Sequence, residues 1–179
     1  LDARVCECCA TDAAVVAGGA IVVYRDRSDD EIRDIRLVRA EGKGWSEPIL
    51  VAEDGWLIHG CPVNGPAVAA DSSVVAVGWF TAADHRPRVQ AALSLDQGAS
   101  FAAPVVIDEE RPVGRVDLAI DSEGMTWVLW MSHGGFIELQ SLTPSGELGK
   151  RSRVGRATAT RAAGFPRLIA TDDRLIIVW

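Results

Sequence analysis

An all-β fold built from repeated four-stranded sheets is predicted by three observations. Four segments share one pattern: VVAGGAIVVY (15–24), AVAADSSVVAVGW (67–79), LAIDSEGMTWVLW (118–130) and LIATDDRLIIVW (168–179). Each is a short apolar run, a tight polar turn and a second apolar run closed by an aromatic. The closing aromatics Tyr24, Trp79, Trp130 and Trp179 are spaced 55, 51 and 49 residues apart. No long segment carries the 3.6-residue period of an amphipathic helix. Short strands at a period of about 50 residues are the pattern of a β-propeller, one sheet per repeat.

The repeats order the chain. Gly, Asp and Ser in the turns supply the positive φ or the side-chain bonds that tight hairpins need. The first repeat covers about 10–52: its hairpin is followed by RDIRLVRA and GWSEPILVA, which read as two more strands. The second covers about 66–108 and continues through RPRVQAALSLDQGASFAAPVVID. The third covers about 115–155, with GFIELQSLTPSGELGKRSRV as a looser outer half. The last, about 165–179, has only its inner two strands. The expected architecture is a propeller portion of about three and a half blades.

Composition bounds the functions available. The chain has 179 residues, 48% hydrophobic and 24% charged, which describes one globular domain with a sizeable core. A net charge of −7 argues against a general nucleic-acid binder, which needs a clustered basic surface. No apolar run approaches the roughly 20 residues that span a bilayer. The chain starts at Leu1 rather than Met, which reads as a processed, trimmed or partial chain.

The octet SLDQGASF (94–101) falls between the third and fourth strands of the second repeat. Asp96 suits the acceptor of backbone N–H groups in a turn, Gly98 suits positive φ, and Phe101 packs back into the sheet. Ser94 and Asp96 are expected to lock the hairpin, a folding role and not a catalytic one. This S-x-D-x-G-x-S-F octet resembles the Asp-box, or bacterial neuraminidase repeat, of sialidases and related propellers. GWSEP is a degenerate copy, with Ala40 where the Asp would stand, and SLTPSGEL (141–148) is more degenerate still. CECC, YRDRSDDEIRDI (24–35) and HGCPVNGP (59–66) together look like a branch of sialidase-like exported bacterial proteins. The resemblance spans essentially the whole chain and speaks for fold more than for activity.

The resemblance implies a working face around the propeller axis, opposite the Asp-box turns. Loops after second and fourth strands gather there: 25–34, 52–66, 81–88, 108–115, 132–135 and 156–167. They carry His59, His85 and His133, the cysteines or their flanks, and Arg25, Asp26, Glu31, Arg33, Asp34, Arg111 and Arg115. Sialidases clamp a sugar carboxylate with three arginines, use an Asp as acid/base and a Glu-activated Tyr as nucleophile. By that resemblance Arg25, Arg33 and Arg115 are candidate clamps and Asp26 a candidate acid. Arg suits the clamp because its planar fork meets a carboxylate bidentately. Tyr24 is the single tyrosine, and its place in the repeat is filled elsewhere by Trp, so it reads as a core residue. The F-R-I-P arginine motif is absent; FPRL (165–168) is a faint echo.

Four cysteines give an even count: Cys6, Cys8, Cys9 and Cys61. Loops before the first strands of adjacent blades are neighbours, and a disulfide needs Cα atoms about 4.4–6.8 Å apart. A bridge from Cys61 to Cys6 or Cys9 is the expectation. The alternative is a thiolate site for copper(I) or zinc, with His59 as a further ligand. No other cofactor is expected. Cysteine usage and the resemblance both point to a secreted or periplasmic protein. Two functions stand open: a glycan-related sialidase-like protein, and a non-catalytic propeller module that binds protein, glycan or metal. Open blade edges predict self-association, or pairing with the missing remainder of the propeller.

Overall fold

The computed structural model describes residues 2–160 and 164–179. Among the described residues, fifteen strands form three antiparallel sheets and a hairpin. Sheet one holds β1 (Asp12–Val16), β2 (Gly19–Arg25), β3 (Ile35–Glu41), β4 (Gly44–Trp45) and β5 (Ile49–Ala52). Sheet two is β6 (Ala67–Ala70), β7 (Val75–Thr81), β8 (Arg88–Ser94) and β9 (Val105–Asp108). Sheet three is β10 (Gly114–Ile120), β11 (Thr126–Met131), β12 (Phe136–Leu142) and β13 (Ser152–Arg156). The hairpin is β14 (Arg167–Ala170) and β15 (Leu175–Val178). Two single 3-10 turns, Ala83–His85 and His133–Gly135, are the helical content of the described residues. No helix among them is long and apolar enough to cross a membrane.

Each sheet is a meander in chain order, and β4 is the one addition to four strands. It comes from GW in the degenerate copy of the octet: Ala40 pairs with Trp45 and Glu41 with Gly44 around the turn. The sheets then pack face to face in sequence. Val23, Ile35 and Leu37 of sheet one meet Val75, Val77 and Trp79 of sheet two. Phe80, Val89 and Ala91 meet Val116, Leu118 and Trp130 of sheet three. Leu129, Met131 and Ile137 cover Leu168 of the hairpin. A sheet covered on both faces needs continuous apolar strands, which is why VAVGWFT of β7 is buried at every residue.

The first strands of successive sheets, or the segments leading into them, are stitched together by side-chain amide or carboxylate oxygens. Asp12 Oδ2 accepts from Val68 N–H at 2.9 Å, Asn64 Oδ1 from Arg115 N–H at 2.8 Å, and Asp117 Oδ2 from Leu168 N–H at 2.7 Å. The first strand of each sheet has one edge without a partner in its own sheet. These oxygens satisfy N–H groups that would otherwise be buried unpaired.

A second link repeats further out. An acid ahead of each sheet reaches the aromatic that closes that sheet's second strand. Asp2 Oδ2 accepts from the Tyr24 hydroxyl at 2.9 Å, Asp54 Oδ2 from Trp79 Nε1 at 2.8 Å, and Asp108 Oδ2 from Trp130 Nε1 at 2.7 Å. The sequence separations are 22, 25 and 22 residues. Tyr24 thus plays the part of the two tryptophans. Trp179, the fourth closing aromatic, has no acid at that separation and is 57% exposed. Its indole lies instead against Gly155 of β13.

The octet folds as a self-bonded turn. Ser94 Oγ donates to Asp96 Oδ1 at 2.6 Å and accepts from Gly98 N–H at 2.7 Å. Ser100 donates to Asp96 through both its N–H, at 2.9 Å, and its hydroxyl. These bonds, those of Ser100 foremost, hold the Asp96 carboxyl down to about 2. Gly98 sits at φ +82°, where a side chain would be strained. Gln97 extends the turn outward: Arg39 donates to its carbonyl, and Ala17 N–H to its Oε1 at 3.1 Å.

Candidate functional site

The loops after the second and fourth strands meet at one end of the sheets. Loop 26–34 pairs with loop 53–66 through Arg33 N–H to Trp56 O at 2.9 Å and Ile58 N–H to Glu31 O at 3.2 Å. The segment before β1 lies alongside. Cys6 N–H donates to Arg25 O at 3.0 Å, and Val5 bridges Asp26.

Two disulfides pin these pieces: Cys6–Cys9, with Cα atoms 5.4 Å apart, and Cys8–Cys61, at 6.1 Å. The sequence expectation paired Cys61 with Cys6 or Cys9, and the structure corrects it. Cys9 N–H donates to Cys6 O at 3.1 Å, closing a turn that brings those two cysteines together. Cys8 is left on the exposed outer side of that turn, toward the loop before β6. Gly65 lets the two segments close: a Cβ there would overlap the Ala10 carbonyl oxygen.

The disulfides wall a cleft of about 470 Å³, lined also by Arg27, Glu31, Arg33 and His59. His59 lines a second cleft as well, of about 730 Å³, with Trp56, Leu57 and His85. One histidine therefore stands between a charged pocket and a more apolar one.

Three arginines converge on Glu31. Arg4 Nη2 donates to Oε1 at 2.7 Å, Arg27 Nη2 to Oε1 at 2.9 Å, and Arg33 Nη2 to Oε2 at 2.8 Å. The Arg27 bond first, then that of Arg33, hold the Glu31 carboxyl down to about 2. Glu31 reaches this position through a backbone at φ +65°, uncommon for a residue with a side chain. Arg33 is 2% exposed, and its Nε and Nη1 have no acceptor among the described residues.

The three arginines singled out in the sequence have separate engagements. Arg25 is buried and donates to three carbonyls: Asn64 O at 2.9 Å, Arg33 O at 3.3 Å and Phe80 O. Its guanidinium lies 5.1 Å from the Trp56 ring centre. Burial pulls its pKa down to about 10, opposed by the Asp54 and Asp34 carboxylates, so it stays charged at neutral pH. Arg115 donates to Gly164 O at 2.7 Å and to Thr160 O, and lies 5.2 Å from the Phe165 ring. It lines a separate cleft of about 220 Å³. Arg33 is the member of the set that lines the disulfide-walled cleft. Asp26 accepts from Arg27 N–H and from Arg36 Nε, both at 2.7 Å. Part of loop 156–167, residues 161–163, lies outside the described residues.

The single tyrosine is held as a phenol. Tyr24 is 5% exposed, and burial, then the bond to Asp2, raises its pKa. It does not line the disulfide-walled cleft.

Sequence reading missed three things here. Arg4 joins the Glu31 cluster from a segment with no strand pattern. Asn64 is a hub: its carbonyl accepts from Arg25, its Nδ2 donates to Val113 O at 3.1 Å, and its Oδ1 accepts from Arg115 N–H. The acid-to-aromatic links had a visible signal, an Asp 22 or 25 residues before three of the four closing aromatics.

No family model matches the chain, and no curated protein does. Among solved structures it is similar to the Hadza microbial sialidase Hz136, at a TM-score of 0.46 and 14% identity. The match covers 89% of this chain and 50% of that one, so the chain spans about half the length of that sialidase.

Proposed function

We propose that the chain is a portion of a sialidase-like β-propeller, exported from the cytoplasm, that binds carbohydrate at its gathered loops and does not itself cleave it. The observation that carries this reading is the pair of clefts sharing His59, one charged and one apolar. Sugars are recognised by such pairing: apolar surface for the ring faces, and charged or amide groups for hydroxyls and carboxylates. Three further features support it. The repeated meanders with stitched first strands suit blades around an axis. The octet turn has the bonding expected of an Asp-box. Two disulfides suit an oxidising compartment.

The setting of Tyr24 supports binding without cleavage. A tyrosine nucleophile must reach substrate and lose its proton. Here the hydroxyl is buried in a link that Trp79 and Trp130 make elsewhere, and its raised pKa opposes ionisation.

The test is titration of the non-reduced protein with sialylated and neutral oligosaccharides, run beside hydrolysis of a fluorogenic aryl sialoside. Saturable binding that His59→Ala weakens at least fivefold, with no aryl release above background, is the expected result. Release that Tyr24→Phe abolishes would overturn the non-catalytic reading. Failure to bind any of the oligosaccharides would overturn the carbohydrate reading.

A further inference from the structure

The cysteine cluster is tighter than stapling requires. The Cys6–Cys9 bridge spans a sequence separation of 3, so it removes little freedom from the unfolded chain. The Cys8–Cys61 bridge alone ties the segment before β1 to the loop before β6. Yet the Sγ atoms of Cys6, Cys8 and Cys9 all lie within 4.8 Å of one another, and Cys61 is bonded to Cys8. The Cys6 and Cys8 sulfurs, which belong to different bridges, are 3.9 Å apart. Sulfurs about 2.3 Å from a tetrahedral zinc ion lie about 3.8 Å from each other. Three of the sulfurs are therefore within reach of one tetrahedral thiolate site, and the fourth, that of Cys61, is bonded to one of them.

The surroundings suit such a site. Cys6 is buried and anchored through its N–H to Arg25 O, so one ligand is fixed. Cys8 is exposed, so a reductant can reach the outer bridge. Arg27 and Arg33 line the same cleft as Cys6, Cys8 and Cys61. A cation held by four thiolates leaves net negative charge on sulfur, which buried donors stabilise. Arg33 brings two N–H-bearing nitrogens, Nε and Nη1, that have no acceptor among the described residues.

We propose that Cys6, Cys8, Cys9 and Cys61 form a redox-gated site for one thiophilic d10 cation, closed as two disulfides when oxidised and open once both are reduced. Two equivalents of a dithiol reductant would each transfer two electrons and two protons. Four protein thiols form, and the reductant leaves as two disulfides. The cation then replaces the thiol protons, which pass to solvent. This site does not depend on the carbohydrate reading.

The experiment uses the whole chain. It is reduced anaerobically with a phosphine, which takes oxygen from water to become its oxide, and is checked for retained β structure by circular dichroism. Zn²⁺ alone or Cu⁺ alone is then added, and loosely held metal is removed by gel filtration. The expected result is one cation per chain, four thiols protected from alkylation, and no cation on unreduced protein. Co²⁺ in place of zinc should show thiolate-to-metal charge transfer of four-sulfur intensity, which reports the ligand set without any mutation. Cys9→Ser should lose at least 100-fold in affinity. Arg33→Gln should keep the four-sulfur spectrum and lose about tenfold. A folded, reduced chain that retains no cation, or retains one with its thiols unprotected, overturns the site. Equal retention by unreduced protein overturns the gating. Retention of Zn²⁺ but not Cu⁺, or the reverse, identifies the cation.

Discussion

The indole N–H of Trp79 donates to the carboxylate of Asp54 at 2.8 Å, tying the second strand of sheet two to the end of sheet one. Trp130 and Asp108 make the same tie between sheets two and three at 2.7 Å. Both tryptophans are fully buried, so each bond also satisfies a donor that has no water. Trp79→Phe keeps most of the ring and removes the donor. It should cost about 1–3 kcal/mol, and Trp130→Phe a similar amount. Thermal melts should fall by about 2–12 °C for a chain of this length. Unchanged melting would show that the bond orients the ring without stabilising the fold.

The two disulfides should differ in their effect on stability. Cys8–Cys61 closes a sequence separation of 53 residues and Cys6–Cys9 one of 3. On loop entropy, Cys61→Ala should cost about 2–4 kcal/mol and Cys9→Ala much less. Urea unfolding of the two variants, with remaining free thiols blocked, reads the difference directly. Equal losses would mean that local packing, not loop closure, sets the contribution.

Asp96 makes a prediction for acid. Its folded pKa is held down to about 2 by Ser100 and Ser94, below the ordinary aspartate range. A carboxyl depressed in the folded state adds stability that is fully present above the unfolded pKa of about 4. That contribution is lost as pH falls through about 2. The unfolding midpoint of Asp96→Asn should therefore be lower than that of the parent at pH 6, and the gap should narrow between pH 4 and pH 2. A gap constant with pH would assign the loss to geometry and not to charge.

The hairpin β14–β15 leaves Ile169, Ile176, Val178 and Trp179 exposed, and the outer edge of β15 pairs with nothing among the described residues. An apolar, unpaired edge is a template for another strand. The chain should sediment as a dimer at micromolar concentration, and Val178→Lys should return it to monomer. A wild-type chain that stays monomeric at high concentration would refute association through this edge.

Much of the architecture was legible because a strand's burial writes a period into the sequence. The hairpin repeats, the polar turns and the octet at 94–101 come from local chemistry, and the sheets form where those segments lie. β4 was hidden in a degenerate octet whose Trp45 pairs across a two-residue turn. The site was less legible. Arg25, Arg33 and Arg115 look alike in sequence, since each is an arginine in a polar loop. What separates them is which carbonyls lie within reach, and that depends on how successive sheets pack. The cysteine pairing failed for a similar reason. Cys8 and Cys9 are adjacent, and spacing alone does not say which of them bonds Cys61.

The acid-to-aromatic links have a direction, since each acid belongs to the chain ahead of the sheet that it secures. Three such couplings run along the molecule, and the series stops before Trp179. In a nearest-neighbour array, cooperativity is only as strong as each junction. The junction between sheet three and the last hairpin keeps the Asp117 bond and lacks the outer one. Amide hydrogens of β14 and β15 should exchange through local opening well before those of β7 and β11. Any segment or partner that covers that hairpin would add a coupling of the kind made at the other junctions.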